Sequence, residues 1–397
     1  MSISTRGQRP KRTKLTSRRI DQIASSGIRK FFDLLASMEG VISLGVGEPD
    51  YSTPRHICQA AISSLEKGYT KYTSNSGMPE LRRELSTYLN GRCNIAYDPG
   101  SELLITVGVS EGLDLAMRAI LNPGDEVIMP DPCYVSYEPC VILAGGKPVK
   151  VPTSQESNFE INAADVEARI TNKTRAILIG YPANPTGTVM TREKLQQIAE
   201  VAQRHQLLVV SDEIYDRLVY GVGHTSFAAL PGMKENTILL GGFSKAFAMT
   251  GWRIGWAAAA PEIIAAMTKI HQYVMMCVPT MAQVAAIEAL RTGESSVREM
   301  VEDYNRRRQF IVRGLNDIGL PCHEPKGAFY AFPSIRGTGM TSEDFVEKLL
   351  VEEKVAVVPG TAFGECGEGY VRCCYATSLA DIEEALNRMK RFLAKHT

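Results

Sequence analysis

Apolar and polar positions divide the chain into a regular centre and two less regular flanks. Between Leu103 and Ala258, short apolar runs alternate with stretches of helical period. The runs Leu103–Val107, Glu126–Met129, Pro148–Val151, Arg175–Ile179, Leu207–Val210, Thr237–Leu240 and Ile254–Ala258 read as strands. The stretches Leu113–Ile120, Tyr137–Leu143, Val166–Ile170 and Arg192–His205 read as the helices between them. Strands that are apolar throughout, with helices between, predict a mostly parallel sheet covered on both faces. Such sheets bind ligands at the carboxyl ends of their strands.

The flanks differ. Val41–Leu44 reads as a short strand, and Arg55–Glu66 as a helix ended by Gly68. Pro79 suits the first position of the next helix. After Pro261 the pattern turns largely helical. There Glu302/Arg306 and Asp303/Arg307 sit at i,i+4 spacing, the mark of a solvated helix face. The last third predicts strands at Ala328–Phe332, Val355–Val358 and Tyr370–Ala376, with helices at Ser342–Val351 and Leu379–Leu393. The expected organisation is α/β. A large domain spans 57–290, and a smaller α+β domain is built from 291–397 and part of 1–56.

Composition narrows the function classes. Lys+Arg and Asp+Glu each number 44, so no net field recruits nucleic acid or a membrane surface. No apolar run reaches bilayer length. The local exception is the N-terminus, where Arg6, Arg9, Lys11, Arg12, Lys14, Arg18 and Arg19 precede the first acid, Asp21. This reads as a basic arm, with an organelle-targeting segment as the alternative. The nine cysteines are scattered without Cys-x-x-Cys or metal spacing, which points to a reducing cytoplasm and no metal site.

The candidate chemistry clusters at the predicted strand ends. Lys245 lies among small and apolar residues in GGFSKAFAMTGWRIGW, after Ser244 and before Arg253. Desolvation lowers an amine pKa, and an unprotonated lysine attacks carbonyls. Arg253, close to Gly255, suits a bound phosphate. The turn Thr106–Gly112 carries Val109 and Ser110, and reads either as a phosphate cradle at a helix start or as a plain turn. It lacks the Lys-Ser/Thr signature of a nucleotide P-loop, and Asp50 replaces the third glycine of a dinucleotide fingerprint that would begin at Gly45. Tyr134 either stacks on a flat ring or packs in the core. Asn184 sits in a polar turn. Asp212 ends an apolar strand, where a semi-buried acid needs a cationic partner, and Tyr215 follows three residues later. A phosphate cradle, an aromatic platform, a buried acid and a reactive lysine together suit pyridoxal phosphate.

These motifs resemble the class I/II aminotransferases of fold type I, the aspartate aminotransferase superfamily. The likeness runs from about Ile28 to the end, through GEPD at 47–50, NPTG at 184–187, SDEIY at 211–215, SKAFAMTGWRIG at 244–255 and YVRCCYA at 370–376. The resemblance implies an amino-acid aminotransferase that uses pyridoxal 5′-phosphate, with a ping-pong exchange between an L-amino acid and a 2-oxo acid such as 2-oxoglutarate. It implies that Lys245 is the Schiff-base lysine and proton carrier and that Asp212 pairs with the ring nitrogen. Asn184 and Tyr215 would bond the ring hydroxyl, and Tyr134 would stack on the ring. Arg253, Ser244, Val109 and Ser110 would hold the phosphate. Arg372, with Gly47, would bind the substrate carboxylate. It further implies a homodimer with shared sites, in which Tyr72 reaches the neighbour's phosphate.

Two departures stand out. Relatives often carry a hydroxyl three residues before the lysine, where this chain has Gly242. Cys373 and Cys374 follow the carboxylate arginine, where core packing is expected. The phrases SGIRKFFDLL, GGKPVKVPT and KGAFYAFP look like the aspartate and aromatic branch. The N-acetyl-diaminopimelate type stays close, as does a carbon–sulfur lyase or cyclopropane-carboxylate synthase on the same fold. A cofactor-binding regulator would need a longer N-terminal DNA-binding domain.

Overall fold

Strand formation in this chain follows from runs that bury both faces. The computed structural model describes residues 15–23 and 38–396. The basic arm expected at the N-terminus lies, up to Lys14, outside the described residues, as does the SGIRKFFDLL segment.

The elements in chain order begin with β1 (Ile42–Ser43), α1 (Arg55–Glu66), α2 (Pro79–Cys93), β2 (Leu103–Thr106), α3 (Gly108–Ile120) and β3 (Glu126–Asp131). There follow α4 (Tyr137–Leu143), β4 (Lys147–Pro152), α5 (Ala163–Glu167), β5 (Thr174–Gly180), α6 (Arg192–Arg204) and β6 (Leu208–Asp212). Next come β7 (Thr237–Gly242), β8 (Gly255–Ala258), α7 (Pro261–Val274), α8 (Thr280–Thr292) and α9 (Glu294–Asp317). The chain ends with β9 (Tyr330–Ala331), α10 (Ser342–Glu353), β10 (Val355–Ala356), β11 (Val358–Pro359), β12 (Val371–Cys374) and α11 (Leu379–His396).

Seven strands form the central sheet, in the order β2-β8-β7-β6-β5-β3-β4. Only β8 runs antiparallel, to both β2 and β7. The carboxyl ends of β2, β3, β5, β6 and β7 therefore meet on one edge, and β8 starts from that edge. Two apolar cores cover the opposite faces. One holds Leu113, Met117, Val210, Ile238 and Leu240, and the other Ile177, Ile198, Val209 and Leu230.

The C-terminal third packs as its own core around Tyr304, Phe329, Phe345 and Phe392. Two small sheets frame it. β1 pairs with β10, and β11-β12-β9 forms an antiparallel ribbon. The predicted run Val355–Val358 is thus two strands. Val355 pairs with Ile42, while Val358 pairs with Arg372 in the other sheet.

Several other boundaries move for local reasons. The helix expected from Leu113 starts at Gly108, because Glu111 turns back to accept the Val107 N–H at 2.5 Å. The helix expected at Val166–Ile170 starts at Ala163, since the Asn162 side chain caps the Asp165 N–H at 2.8 Å. The strand expected at Ala328–Phe332 shortens to Tyr330–Ala331. Ala328 there takes a left-handed φ of 55°, and its N–H is drawn to the Leu218 carbonyl.

The charged stretch of α9 is not a solvated face throughout. Arg307 is buried. Its guanidinium binds Asp50 at 2.8 Å and Asp303 at 2.6 Å, and lies over the rings of Tyr51 and Tyr304. The GEPD loop is thereby latched to α9, which i,i+4 spacing alone does not reveal. Replacing Arg307 with Leu leaves two acids facing each other. Asp50 keeps 32% of its side chain exposed, so the expected loss is about 2 kcal/mol, less than for a deeply buried pair. Urea unfolding measures it, and an unchanged midpoint would contradict the latch.

Candidate active site

The strand ends surround a cavity of about 430 Å³, a size that suits a small ligand. Its lining includes Gly45, Val46, Gly47, Val109, Ser110, Tyr134, Asn184, Asp212, Tyr215, Ser244, Lys245, Arg253, Tyr330 and Arg372. The tertiary structure therefore gathers every candidate residue except Tyr72, which is 81% exposed on the surface.

Lys245 follows β7 on the turn that leads to β8. Its amine donates to the Gly47 carbonyl at 2.6 Å and sits near the rings of Tyr215 and Phe329. Burial pushes its pKa down to about 8, the nearby Cys374 thiol opposing that shift. About a tenth of the amine is then unprotonated at pH 7, against less than about a thousandth for a free lysine. Gly47 lines the cavity beside Arg372; its carbonyl accepts from Lys245, while the Gly45 carbonyl accepts from Arg372.

Asp212 ends β6 and is buried. It accepts from the Tyr137 hydroxyl at 3.0 Å and from the Ile214 N–H at 3.2 Å. Burial raises its pKa to about 6. Among the described residues no cation lies within ion-pair distance of it. Tyr137 escaped the sequence reading, which placed it only as a helix start. No spacing announces a hydroxyl that crosses to another strand.

The N-terminus of α3 forms one end of the cavity. Gly108 takes a φ of 74°, and a Cβ there would lie 2.7 Å from Arg253 Nη2. Arg253 is thus pressed against the exposed N–H end of a helix, an arrangement that favours an anion. Ser244 adds a hydroxyl. A Cβ at position 242 would lie 3.1 Å from Gly255 Cα and 3.2 Å from Ile214 Cδ1, so a side chain there needs its neighbours to shift slightly.

Arg372, on β12, enters from the other side and is buried. Its Nη1 donates to Asn184 Oδ1 at 2.9 Å and its Nη2 to the Gly45 carbonyl at 2.7 Å. Its Nε finds no partner, and among the described residues no carboxylate pairs with it. Tyr330 and Phe363 place their rings 4.5 Å and 4.9 Å from the guanidinium carbon. Tyr330 also shares a 2.6 Å hydrogen bond with the Tyr215 hydroxyl. Tyr330 was visible in KGAFYAFP but carried no assigned role. Tyr134 lies in the wall, edge-on to Tyr137. Cys373 and Cys374 are buried in the core, as their apolar volume suggests. Among the described residues no His, Cys, Asp and Glu group is arranged to hold a metal.

One cavity thus gathers a buried amine, a buried acid without a cation and a buried arginine without a carboxylate. The sequence profile of the aminotransferase class I and II family matches residues 39–389, and the chain belongs to that family. It is an aminotransferase. The Bacillus subtilis protein YugH is 58% identical over 385 residues, which covers 97% of this chain and all of that protein. The aspartate aminotransferase of Pyrococcus abyssi is 48% identical, over 95% of this chain and 98% of its own. The crystal structure of an aromatic aminotransferase from Pyrococcus horikoshii superposes with a TM-score of 0.89 at 46% identity, covering 93% of this chain and 99% of that one.

Asp212 also makes a prediction about stability. Its carboxyl titrates near 6 in the fold against an ordinary 3.8. The folded chain therefore binds more protons in that window, and this contribution to stability is present below pH 3.8 and lost as pH rises through about 6. At neutral pH the ligand-free Asp212→Asn variant is expected to exceed the parent in stability by about 3 kcal/mol. The gap should close at pH 4. Denaturant titration at both pH values checks it.

Proposed function

We propose that the cavity binds pyridoxal 5′-phosphate and exchanges an amino group between an L-amino acid of aspartate or aromatic type and a 2-oxo acid such as 2-oxoglutarate. The observation that carries this reading is the pairing of a buried, desolvated Lys245 with a buried Asp212 that has no cation of its own. A ring carrying an aldehyde and a protonated nitrogen answers both. The cofactor, when bound, supplies that aldehyde and a ring that draws electrons from the carbon bearing the amine.

The residues take the following roles. Asp212, oriented by Tyr137, keeps its charge against the ring nitrogen. Asn184 and Tyr215 face the ring hydroxyl, and Tyr134 backs the ring. Ser244, Arg253 and the N–H groups of Val109 and Ser110 hold the phosphate. Arg372 takes the substrate α-carboxylate, with the neighbouring Gly45–Gly47 strap closing that side. Lys245 Nζ, lowered to about 8, holds the aldehyde and then moves the proton at the substrate Cα. Donor and acceptor use one cavity in turn, which gives ping-pong kinetics.

An amino-donor panel with 2-oxoglutarate tests the reading and decides between the two donor types. Lys245→Ala is expected to lose both the visible absorption of lysine-bound cofactor and nearly all turnover. Wild-type turnover in that variant would overturn the assignment. Release of pyruvate and ammonia without any 2-oxo acid would mark a lyase instead. The reducing cytoplasm is the proposed location, supported by nine cysteines that form no disulfide.

The site is further proposed to be shared in a homodimer. Tyr72, Tyr273, Val274, Met275 and Met276 are all exposed apolar residues. The Tyr72 loop and the end of α7 are tied together by Asn75 Nδ2, which donates to the Met276 carbonyl at 2.7 Å. Such a surface suits a two-fold partner, with Tyr72 reaching its phosphate. Refolding Lys245→Ala together with Tyr72→Ala is expected to restore activity, because one site per mixed dimer is whole. Activity no higher than in the unmixed variants, with mixed dimers confirmed by mass, would rule out sharing.

A further inference from the structure

Arg372 is held by an unusual set of neighbours. Its guanidinium carbon lies 4.5 Å from the centre of the Tyr330 ring and 4.9 Å from that of Phe363. Tyr330 is fixed through Tyr215. Phe363 sits on the strap 360–367, which leaves β11 and returns to β12. This strap is tightly folded. A Cβ at Gly360 would lie 2.0 Å from the Gly367 carbonyl oxygen, and Gly364 takes a φ of 137°.

The strap meets the end of β3 at one place. Asp131, buried at the last position of that strand, accepts the Cys366 N–H at 3.3 Å and also faces the N–H of Glu365. A Cβ on Gly364 would fall 1.9 Å from Asp131 Oδ1, so the glycine makes room for this carboxylate. Two residues on, the Cys133 N–H donates to the Phe363 carbonyl at 2.9 Å. Asp131 is held in turn from behind, its own carbonyl accepting from Thr153 N–H at 2.8 Å and Thr153 Oγ1 at 2.9 Å.

We infer that Asp131 is a positioning residue for the substrate carboxylate: by binding the turn after Phe363 it fixes that ring against Arg372 and so sets the angle of the guanidinium fork. The inference rests on the reading of Arg372 as the carboxylate site. Bidentate recognition depends on the plane of the guanidinium. Two rings pack against that guanidinium, and the strap that carries one of them meets the large sheet through Asp131 and Cys133. These contacts do not include Ser244, Arg253 or the start of α3, the groups assigned to the phosphate, but Cys133 precedes Tyr134, so cofactor absorbance is measured in every variant.

The test uses the holoenzyme and two carboxylates without an amine, 3-phenylpropanoate and succinate, with calorimetric Kd as the readout. Asp131→Asn removes the charge and one acceptor at nearly constant volume. Gly364→Ala pushes the same carboxylate away from the strap. Phe363→Leu removes the ring. Each is expected to weaken whichever carboxylate the parent binds by about tenfold, the cost of one charge-assisted contact, while cofactor absorbance and kcat hold and KM rises for donor and acceptor alike. Asp131→Asn combined with Phe363→Leu should be no weaker than either alone, because both act through one ring. Unchanged Kd in Asp131→Asn overturns the inference, as does full additivity. If that variant does not fold, Gly364→Ala decides on the same Kd criterion. Arg372→Lys is the control. If it binds both carboxylates as the parent does, the reading of Arg372 falls and the inference with it. If it weakens them while the Asp131 and Gly364 variants do not, only the inference falls.

Discussion

The structure depends on keeping three ionisable groups out of water at one edge of a sheet. Lys245, Asp212 and Arg372 are each buried or nearly so, and among the described residues none has an ion-pair partner of opposite charge. Isolated buried charge is expensive. The apolar sheet behind these residues, with Val209–Val210 fully enclosed, raises that cost by excluding water, and its own apolar burial offsets it. The cost is visible in the two pKa values that burial moves in opposite directions, the amine down and the carboxyl up. It is also the source of the chemistry. A ligand that brings a protonated nitrogen, an aldehyde and a carboxylate supplies the partners that the fold withholds.

The backbone hydrogen bonds of the site serve the same end. Lys245 rests on the Gly47 carbonyl, and Arg372 on the Gly45 carbonyl and Asn184. These are neutral acceptors. They orient the cations without neutralising them, so both stay available to an incoming anion or carbonyl. The Gly45–Tyr51 strap that offers two of these acceptors is fixed at its far end, where Asp50 meets Arg307 and Tyr51 meets Asp303. Here full ion pairs appear, at a distance from the chemistry. Paired charges hold the strap, and the charges lining the cavity stay unpaired.

The active site also joins the two apolar assemblies. Asp212, Lys245 and the start of α3 belong to the large sheet, while Arg372 and Tyr330 come from the C-terminal ribbon. Tyr215 bridges them, packing in the C-terminal core while following β6. The proposed cofactor and substrate carboxylate would thus be held from opposite sides of one cavity.

Much of this was legible in the sequence. Apolar runs with helices between them specify a covered parallel sheet, and strand ends specify where a ligand binds. Lys245, Asp212, Asn184, Tyr215, Arg253 and Arg372 stand in local motifs, so their identities could be read without coordinates, and the cavity contains all of them. What tertiary structure alone decided are contacts between residues far apart in the chain. Tyr137 reaches Asp212 across 75 positions, and Arg307 reaches Asp50 across 257. Spacing on α9 suggested a wet face for that arginine, since i,i+4 pairing looks the same whether or not an aromatic loop covers it. The split of Val355–Val358 between two sheets has the same origin, because a strand's own pattern does not say which neighbour will satisfy its N–H groups. Local pattern reports what a segment needs buried. Only the packed chain determines which distant group meets it.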